Sequence, residues 1–393
     1  MITRLQVRNF KSLRDIDLEL GPLNVLVGPN MSGKSNILDA FRFLREIFFP
    51  EGGRPGVGSA IAERGGIDDT VWKGADDKQI TISLEAVDPD DQAAQYKYEV
   101  QLIGGPGQFV TTQNETLKLV RGGGEYDLIT YQQHGFPQPQ YRNLDGQIVG
   151  SVGSTNSSAM QYAAPNWDGY RFREWVNHWA LYHLMPPGMK KSSPSSSGEI
   201  LEPHGDNLSA WLMWLQAHSP ERFERISEVL HDLFPEVIRI NAIPTSDDKA
   251  YLTSKENGLK RPVKLWQMSD GFLALTALLS LIYAPPELAG TLYCIEEPEN
   301  HLHPRLMETL VSLLRQVQEE ARDSKRTPTQ IILTTQSPYL VDQFSLEEVI
   351  WIEKREGETK TFRPATKEYL KKLVEDKAGL GNLMFTGALG DEK

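Results

Sequence analysis

The sequence predicts an α/β fold built around a largely parallel sheet. The apolar run Leu23–Val27 is rich in β-formers and has the character of a strand buried on both faces. A glycine-bearing loop follows it, and residues 36–44 then have helical spacing. The last third of the chain alternates helices and strands, which favours parallel pairing. Helices are predicted at 271–284 and 304–322, and strands at 291–295, 330–334 and 348–353.

Length and charge limit the classes of protein. The 393 residues suggest two or three folding units. The 41 Lys plus Arg against 53 Asp plus Glu give a net charge of −12, which excludes a uniformly basic nucleic-acid-binding protein but leaves room for a local basic patch. The single cysteine, Cys294, excludes an internal disulfide and a multi-cysteine zinc site. We find no signal-peptide pattern and no apolar run long enough for a bilayer, so we expect a soluble cytoplasmic protein with no membrane partner.

The segment Gly28–Ser35 matches G-x-x-x-x-G-K-[ST] in full, between a buried strand and a helix. Glycines allow successive amides to point at phosphate oxygens, and the helix adds its positive N-terminal end. Lys34 would reach the β- and γ-phosphates, and the Ser35 hydroxyl would bind Mg²⁺. The alternative is a simple glycine turn before a helix. The nucleotide-binding residues predicted here are Asn30, Ser32, Gly33, Lys34, Ser35 and Asn36.

Two further strands end in polar side chains. Glu296 and Glu297 end the strand at 291–295, at the edge where an α/β sheet gathers catalytic groups. Glu296 is predicted to hold Mg²⁺, and Glu297 to orient or deprotonate the attacking water. Gln336, after the strand at 330–334, is predicted to contact the γ-phosphate or the water. The alternatives are a solvated acidic turn for the glutamates and a polar strand cap for the glutamine.

Together these motifs resemble the ABC-type ATPase heads of the RecF/SMC branch, in particular small RecF-like ATPases of the AAA group. The resemblance covers about 1–85 and 205–393. Its motifs are Asn9-Phe10-Lys11-Ser12, the Gly28–Ser35 loop, Ser269-Asp270-Gly271, Ile295-Glu296-Glu297-Pro298-Glu299, Thr334-Thr335-Gln336-Ser337-Pro338 and the C-terminal segment 380–390.

The resemblance implies a P-loop NTPase head that uses ATP and Mg²⁺. In that family two heads sandwich two ATP molecules, so Ser269 and Gly271 would contact the γ-phosphate bound by the partner of a homodimer. Lys11 is assigned to the nucleotide by the same resemblance. The alternative for Ser269 is a simple helix N-cap.

The resemblance also divides the chain. It implies an N-terminal part of the head at 1–85, an inserted lobe at 86–205 that is β-rich and then loop-rich, and a C-terminal part at 206–393. Within the lobe, residues 80–129 have strand-like alternation, whereas 132–166 and 188–199 have the composition of mobile loops.

Several positions depart from the family pattern. Met31 replaces a small residue in the phosphate loop, Glu296 replaces the usual aspartate, and His303 stands where an aspartate is usual. Gln336 replaces the switch histidine and cannot carry a proton, so a stabilising cation is lost. No clear Q-loop is found near Glu63-Arg64-Gly65-Gly66. We therefore expect slow ATP hydrolysis.

The expected function is ATP-driven dimerisation that acts as a conformational switch, in DNA repair or in defence against foreign DNA. One alternative is an ATP-dependent DNA-binding clamp, and another is a nucleotide-binding scaffold with little turnover. No heptad array predicts SMC-like arms. The 57 residues after Gln336 are too few for a nuclease domain of the OLD type, so a nuclease or other effector would be a separate chain.

Other chemistry-bearing residues have simpler interpretations. His301 and His303 suit a loop and helix start better than a metal site. The Asp88–Asp91 segment suits a surface turn better than a nuclease centre. Paired lysines at 190–191 and 371–372 are typical of solvated faces. Five tryptophans suit core packing better than base stacking, namely Trp167, Trp175, Trp179, Trp211 and Trp214.

Overall fold

The chain folds into two compact units, Met1–Trp179 with Glu320–Lys393 and Ala180–Glu319. The computed structural model describes residues 1–390 apart from 51, 53–55, 90, 106, 108, 132–137, 152–155, 324–328 and 377. Helices and strands are numbered along the chain. No helix in this described part is both long and apolar enough to span a bilayer.

The first unit contains an eight-stranded antiparallel sheet in the order β2-β1-β4-β5-β6-β7-β8-β9. Its strands are β1 (Ile2–Phe10), β2 (Leu13–Glu19), β4 (Gln79–Val87), β5 (Gln95–Gly104), β6 (Val110–Arg121), β7 (Gly124–Tyr131), β8 (Pro139–Arg142) and β9 (Ile148–Ser151). Alternate residues of β4 are buried, as a sheet with one core face requires. The strand-like pattern over 80–129 is confirmed. The boundary predicted between the head and the inserted lobe, at 85–86, falls inside β4. The strands after it belong to the same sheet as the N-terminal strands.

A second, mainly parallel sheet belongs to the same unit. It contains β3 (Leu23–Val27), β16 (Gln330–Thr335), β17 (Val349–Arg355) and β18 (Glu358–Phe362). The central strand β3 is parallel to both β16 and β17, and β18 is antiparallel to β17. Every residue of β3 and β16 is buried, as expected for strands covered on both faces.

Helix α1 (Lys34–Phe48) packs its apolar face inside the first unit. The ring of Phe43 lies 5.5 Å from that of Phe10, and the ring of Phe48 lies 5.2 Å from that of Tyr98. These contacts join α1 to the inner face of the antiparallel sheet. The other helices of the unit are α2 (Gly56–Glu63), α3 (Ile67–Thr70), α4 (Tyr170–Asn177), α10 (Pro338–Val341), α11 (Glu368–Glu375) and α12 (Leu380–Phe385).

Part of the region predicted as mobile loop is ordered. Within 132–166, β8 and β9 continue the antiparallel sheet, while 132–137 and 152–155 lie outside the described residues. The 3-10 turn Ala159–Tyr162 is fixed by the buried carboxylate of Glu115, which accepts hydrogen bonds from Tyr98 Oη (2.8 Å), Ser158 Oγ (2.6 Å) and Ala159 N (2.7 Å). The loop prediction is wrong for these residues because pairing and a buried polar anchor outweigh composition.

The second unit contains a small antiparallel sheet in which β13 (Lys249–Glu256) pairs with three strands, β11 (Ser193–Pro194), β12 (Val237–Pro244) and β14 (Val263–Lys264). The strand β10 (Trp179–Tyr182) lies beside β15 (Leu292–Glu296). The helices are α5 (Pro186–Met189), α6 (Leu208–His218), α7 (Pro220–Leu233), α8 (Asp270–Ile282) and most of α9 (Pro304–Asp323). β11 falls within 188–199, so the prediction of a loop over that whole range is also wrong.

The elements predicted for the last third of the chain are confirmed to within two residues at each end. Four of the five tryptophans are buried, and Trp214 stacks on Trp211 with 5.6 Å between ring centroids. Core packing of these residues is therefore confirmed.

Candidate nucleotide-binding site

The Gly28–Ser35 loop connects β3 to α1. Two of its residues have left-handed backbone, Met31 (φ 64°) and Gly33 (φ 108°), so the chain curls tightly before the helix begins. A Cβ atom on Gly28 would lie 1.9 Å from the Ile352 carbonyl oxygen, and one on Gly33 would lie 2.0 Å from Thr359 Oγ1. Both glycines are therefore required by the fold of the loop itself.

The loop has the features of an anion cradle. The backbone N–H groups of Met31 and Gly33 and the buried hydroxyl of Ser32 have no hydrogen-bond partner in the described part of the chain. Lys34 Nζ folds back over the loop and donates to the carbonyl oxygens of Gly28 (2.8 Å) and Pro29 (2.9 Å). Unpaired donors beside a buried ammonium and a helix N-terminus suit the oxygens of a phosphate chain.

A chain of side-chain hydrogen bonds connects the phosphate loop to Ser12 and to β18. Asn36 Nδ2 donates to Ser12 Oγ (2.7 Å), and Ser12 Oγ lies 2.7 Å from Thr359 Oγ1. Thr359 Oγ1 donates to the Ser32 carbonyl oxygen (2.9 Å). Asn36, predicted as a nucleotide contact, thus has its side-chain amide directed at Ser12. Thr359, on β18, is a supporting residue that no sequence motif indicated.

Lys11 lies in a charged cluster on one side of α1. Its ammonium is 2.6 Å from Asp39 Oδ2, and Asp39 also accepts two hydrogen bonds from Arg64, at 2.7 and 2.9 Å. Burial by itself would raise the pKa of Asp39, but Arg64 and Lys11 outweigh it and lower this pKa. In this structure, Lys11 is committed to Asp39, so a contact with nucleotide would require it to exchange partners. Arg64, near the expected Q-loop, is a structural cation.

Gln336 lies at the same edge of the parallel sheet as the start of the phosphate loop. The register pairs Val27 with Thr335 on adjacent parallel strands, so Gly28 and Gln336 follow side by side. Neighbouring strands are about 4.8 Å apart. The backbone of Gln336 therefore lies beside the start of the loop, and its contact with the γ-phosphate or the water stays a prediction.

The acidic strand end belongs to the second unit. Glu296 ends β15 and is largely buried, and His183 Nδ1 lies 3.2 Å from its Oε2. His183 follows β10, whose pairing with β15 brings the histidine to the carboxylate. No local sequence pattern predicts this contact, because 113 residues separate His183 from Glu296.

Glu297 has a left-handed backbone, with φ 44°. This conformation is costly for a residue with a side chain and is concentrated at functional sites. Asn300 holds it in place: Asn300 N donates to the Glu297 carbonyl oxygen (3.0 Å) and Asn300 Nδ2 to Glu297 Oε2 (3.0 Å). The Glu297 carboxylate is therefore tied to the turn that follows β15.

Ser269-Asp270-Gly271 forms the N-terminus of α8. Ser269 Oγ accepts a hydrogen bond from Phe272 N (3.2 Å), so the N-cap interpretation describes its local role. Asp270 pairs with Lys190 at 2.6 Å, which holds the pKa of the carboxyl below its usual value. A Cβ on Gly271 would lie 2.4 Å from the His301 carbonyl oxygen. The segment is thus packed directly on the 300–303 loop.

The other chemistry-bearing residues have local partners. His303 Nδ1 accepts a hydrogen bond from Arg305 N, and no group of three potential ligands surrounds a metal position among the described residues. Asp88 Oδ1 accepts a hydrogen bond from Asp91 N (3.2 Å), as in a turn, but the Asp88 side chain is buried rather than on the surface, and residue 90 lies outside the described residues. Lys190 is expected on a solvated face, but its ammonium instead forms an ion pair with Asp270.

Comparison with known proteins agrees with these features. Residues 1–114 match the family model of an AAA ATPase domain, and residues 199–342 match that of an "AAA domain, putative AbiEii toxin, Type IV TA system". An Smc head solved with the C-terminal winged-helix domain of ScpA superposes with a TM-score of 0.55 at 16% identity, over 92% of this chain and 97% of that one. The Smc head of Pyrococcus furiosus, solved with the C-terminal domain of ScpA, gives 0.53 at 16% identity, over 96% and 99%.

The chain has the fold of an SMC-type ATPase head. The resemblance to RecF/SMC-like ATPases and the α/β P-loop class are thereby confirmed. A 40-residue stretch is also 62% identical to the OLD nuclease of Thermus scotoductus. That stretch spans 10% of this chain and 8% of the OLD nuclease.

Proposed function

We propose that this SMC-type head binds Mg-ATP in the Gly28–Ser35 loop and hydrolyses it slowly. The observation that carries the proposal is the cradle itself: curled backbone, unpaired Met31 and Gly33 amides, an unpaired buried Ser32 hydroxyl and the ammonium of Lys34. Matches to AAA family models over 1–114 and 199–342 support ATP as the nucleotide.

Each residue has a role that follows from its chemistry. Lys34 exchanges its two carbonyl partners for β- and γ-phosphate oxygens, and the loop amides donate hydrogen bonds to the remaining phosphate oxygens. Glu297 takes the proton of the attacking water or orients that water. Gln336 donates its side-chain amide to the water or to the γ-phosphate. Ser35 and Glu296 are the residues that would hold Mg²⁺, which neutralises charge on the phosphates when bound.

His183 fits this assignment as a positioning residue. Its Nδ1 lies 3.2 Å from Glu296 Oε2, and this contact restricts the orientation of the carboxylate that would hold Mg²⁺. Glu297 has a positive φ and accepts a hydrogen bond from Asn300, whereas Glu296 lies beside His183, so the two carboxylates have different surroundings and we assign them separate tasks.

We further propose that ATP drives homodimerisation, with Ser269 and Gly271 completing the partner's site. A serine hydroxyl and backbone amides at the start of α8 suit an anion. Because the site is then complete only in the dimer, hydrolysis depends on assembly and ATP becomes a switch of conformation. A separate nuclease or other effector would bind one of the two conformations and act in DNA repair or defence. The short match to an OLD nuclease supports this role.

Phosphate release measured against protein concentration tests this function. The rate per chain should rise with concentration and saturate, because dimers form the complete site. Glu297→Gln should reduce the rate at least 100-fold, whereas Glu347→Gln, at an exposed glutamate with no recorded side-chain partner, should leave it unchanged. Background release from the unaltered chain would favour the scaffold with little turnover.

A further inference from the structure

The small sheet of the second unit has one covered face and one exposed face. On the covered face, Leu252 N donates to Ser209 Oγ of α6 (3.2 Å), and Ile240 N donates to Ser227 Oγ of α7 (3.2 Å). Side chains of Ile240, Ala242, Ala250 and Leu252 are buried there. The opposite face, which we name the outer face of the β12–β13–β14 sheet, carries the alternate residues of these strands.

Positive charges are concentrated on this outer face. Arg239 and Lys255 are register partners on β12 and β13, so their side chains point to the same side. Lys264 is the register partner of Thr253, two residues from Lys255 on the same face. All three cations are exposed and form no ion pair in the described structure. Like charges placed opposite each other destabilise a sheet, so this arrangement has a cost that an anionic ligand would remove.

The turn between β13 and β14 adds two more cations. Lys260 and Arg261 are exposed and likewise have no acidic partner among the described residues. Residues 237–267 contain six Lys or Arg and three Asp or Glu, in a chain whose totals are 41 and 53. One of the six, Lys249, is neutralised locally by Asp247 at 2.9 Å. The surface is therefore a basic patch on an acidic protein.

An aromatic side chain lies among these charges. Trp266, directly after β14, is 52% exposed. Its ring is 6.1 Å from that of Tyr251 at an angle of 33°, and Lys264 Nζ lies 5.1 Å from its centroid. A half-exposed indole braced by a second ring is a suitable platform for a planar base.

We propose that this outer face binds single-stranded nucleic acid. Arg239, Lys255, Lys260, Arg261 and Lys264 contact successive phosphates, and Trp266 stacks on a base. Single-stranded nucleic acid fits better than a duplex because a duplex hides the faces of its bases from the indole. It fits better than an acidic protein segment because every nucleotide carries a planar base beside its phosphate, whereas acidic side chains offer no aromatic face to Trp266. The proposal is independent of nucleotide binding by the phosphate loop.

Fluorescence anisotropy with a labelled 20-nucleotide DNA strand, without ATP, tests it. For five phosphate contacts we expect the affinity to fall about 100-fold between 50 and 200 mM salt. The triple variant Arg239→Gln, Lys255→Gln, Lys264→Gln should bind at least tenfold more weakly at 50 mM, and its affinity should fall only about sevenfold over the same range. The matched control is Lys97→Gln, Lys354→Gln, Lys372→Gln, which removes three exposed lysines elsewhere that form no ion pair within 4 Å in the described part of the chain. It should stay within twofold of the unaltered chain.

Trp266→Ala distinguishes base stacking from general attraction to polyanions. We expect about a tenfold loss of affinity for the strand with no change in its salt dependence, and no loss for heparin, which has no bases. Equal loss in the two triple variants would overturn the proposal, as would tighter binding of duplex or of an acidic peptide. Lys34→Ala should bind the strand normally, so failure of the ATP proposal would be seen separately. Far-ultraviolet circular dichroism confirms that each variant is folded.

Discussion

Replacing Thr359 by valine removes one hydroxyl from beneath the phosphate loop and keeps the side-chain shape. That hydroxyl is buried, donates to the Ser32 carbonyl oxygen at 2.9 Å and lies 2.7 Å from Ser12 Oγ. A buried hydrogen bond contributes about 1 kcal/mol net, and a carbonyl oxygen left without a donor costs about 1–3 kcal/mol. We therefore expect the free energy of unfolding to fall by about 2–3 kcal/mol.

Part of that loss should appear in nucleotide binding, because the Ser32 carbonyl belongs to the loop. A loss of 1.4 kcal/mol in the bound conformation is a tenfold loss of affinity. Urea denaturation measures the first quantity and titration with a fluorescent ATP analogue the second. Thr361→Val is the control, since Thr361 lies on the same strand without a recorded side-chain hydrogen bond. Equal effects of the two variants on stability and affinity would refute the supporting role of Thr359.

Three other predictions concern catalysis, assembly and pH. Glu297→Gln should retain Mg-ATP and accumulate as a dimer in size-exclusion chromatography with light scattering; a monomer under these conditions would contradict the switch. Ser269→Arg should bind ATP with unchanged affinity yet lose at least tenfold in phosphate release, because the added side chain blocks the partner's site; release at the unaltered rate would show that Ser269 does not act across the dimer. Asp39→Asn should lower the free energy of unfolding by about 3 kcal/mol at pH 7, because it leaves the buried Arg64 short of a partner. The lowered pKa of Asp39 stabilises the fold above pH 3.8, and this contribution is lost as the pH falls further. Urea denaturation at several pH values should therefore show that the free energy of unfolding falls less steeply with acid in the variant than in the unaltered chain. The exposed pair Arg4–Asp17 supplies the control Asp17→Asn, with an expected loss below about 1 kcal/mol.

The sequence predicted the elements whose signals are local. The buried strand before Gly28 and the apolar periodicity of α8 were both recognisable, because each depends on neighbours within one element. The strand pairing places the backbone of Gln336 beside the loop, because neighbouring parallel strands end at one edge of the sheet.

Contacts between distant segments could not be predicted in this way. Thr359 reaches the loop from 327 residues beyond Ser32, and His183 reaches Glu296 through the pairing of β10 with β15. Glu115 stands in a strand whose alternation was recognised, yet its partners lie in a segment whose composition indicated a loop. Such residues have ordinary side chains in ordinary patterns, and only the fold makes them neighbours.

Equilibrium binding of Mg-ATP to the unaltered chain and to Lys34→Ala, measured by isothermal titration calorimetry, tests the central claim most directly. Loss of the buried ammonium removes the main counter-charge of the cradle, so we expect a saturable, one-to-one interaction that the variant loses. Lys372→Ala, at an exposed lysine, should bind as the unaltered chain does. The same affinity in Lys34→Ala as in the unaltered chain would show that the phosphates lie somewhere other than the Gly28–Ser35 loop.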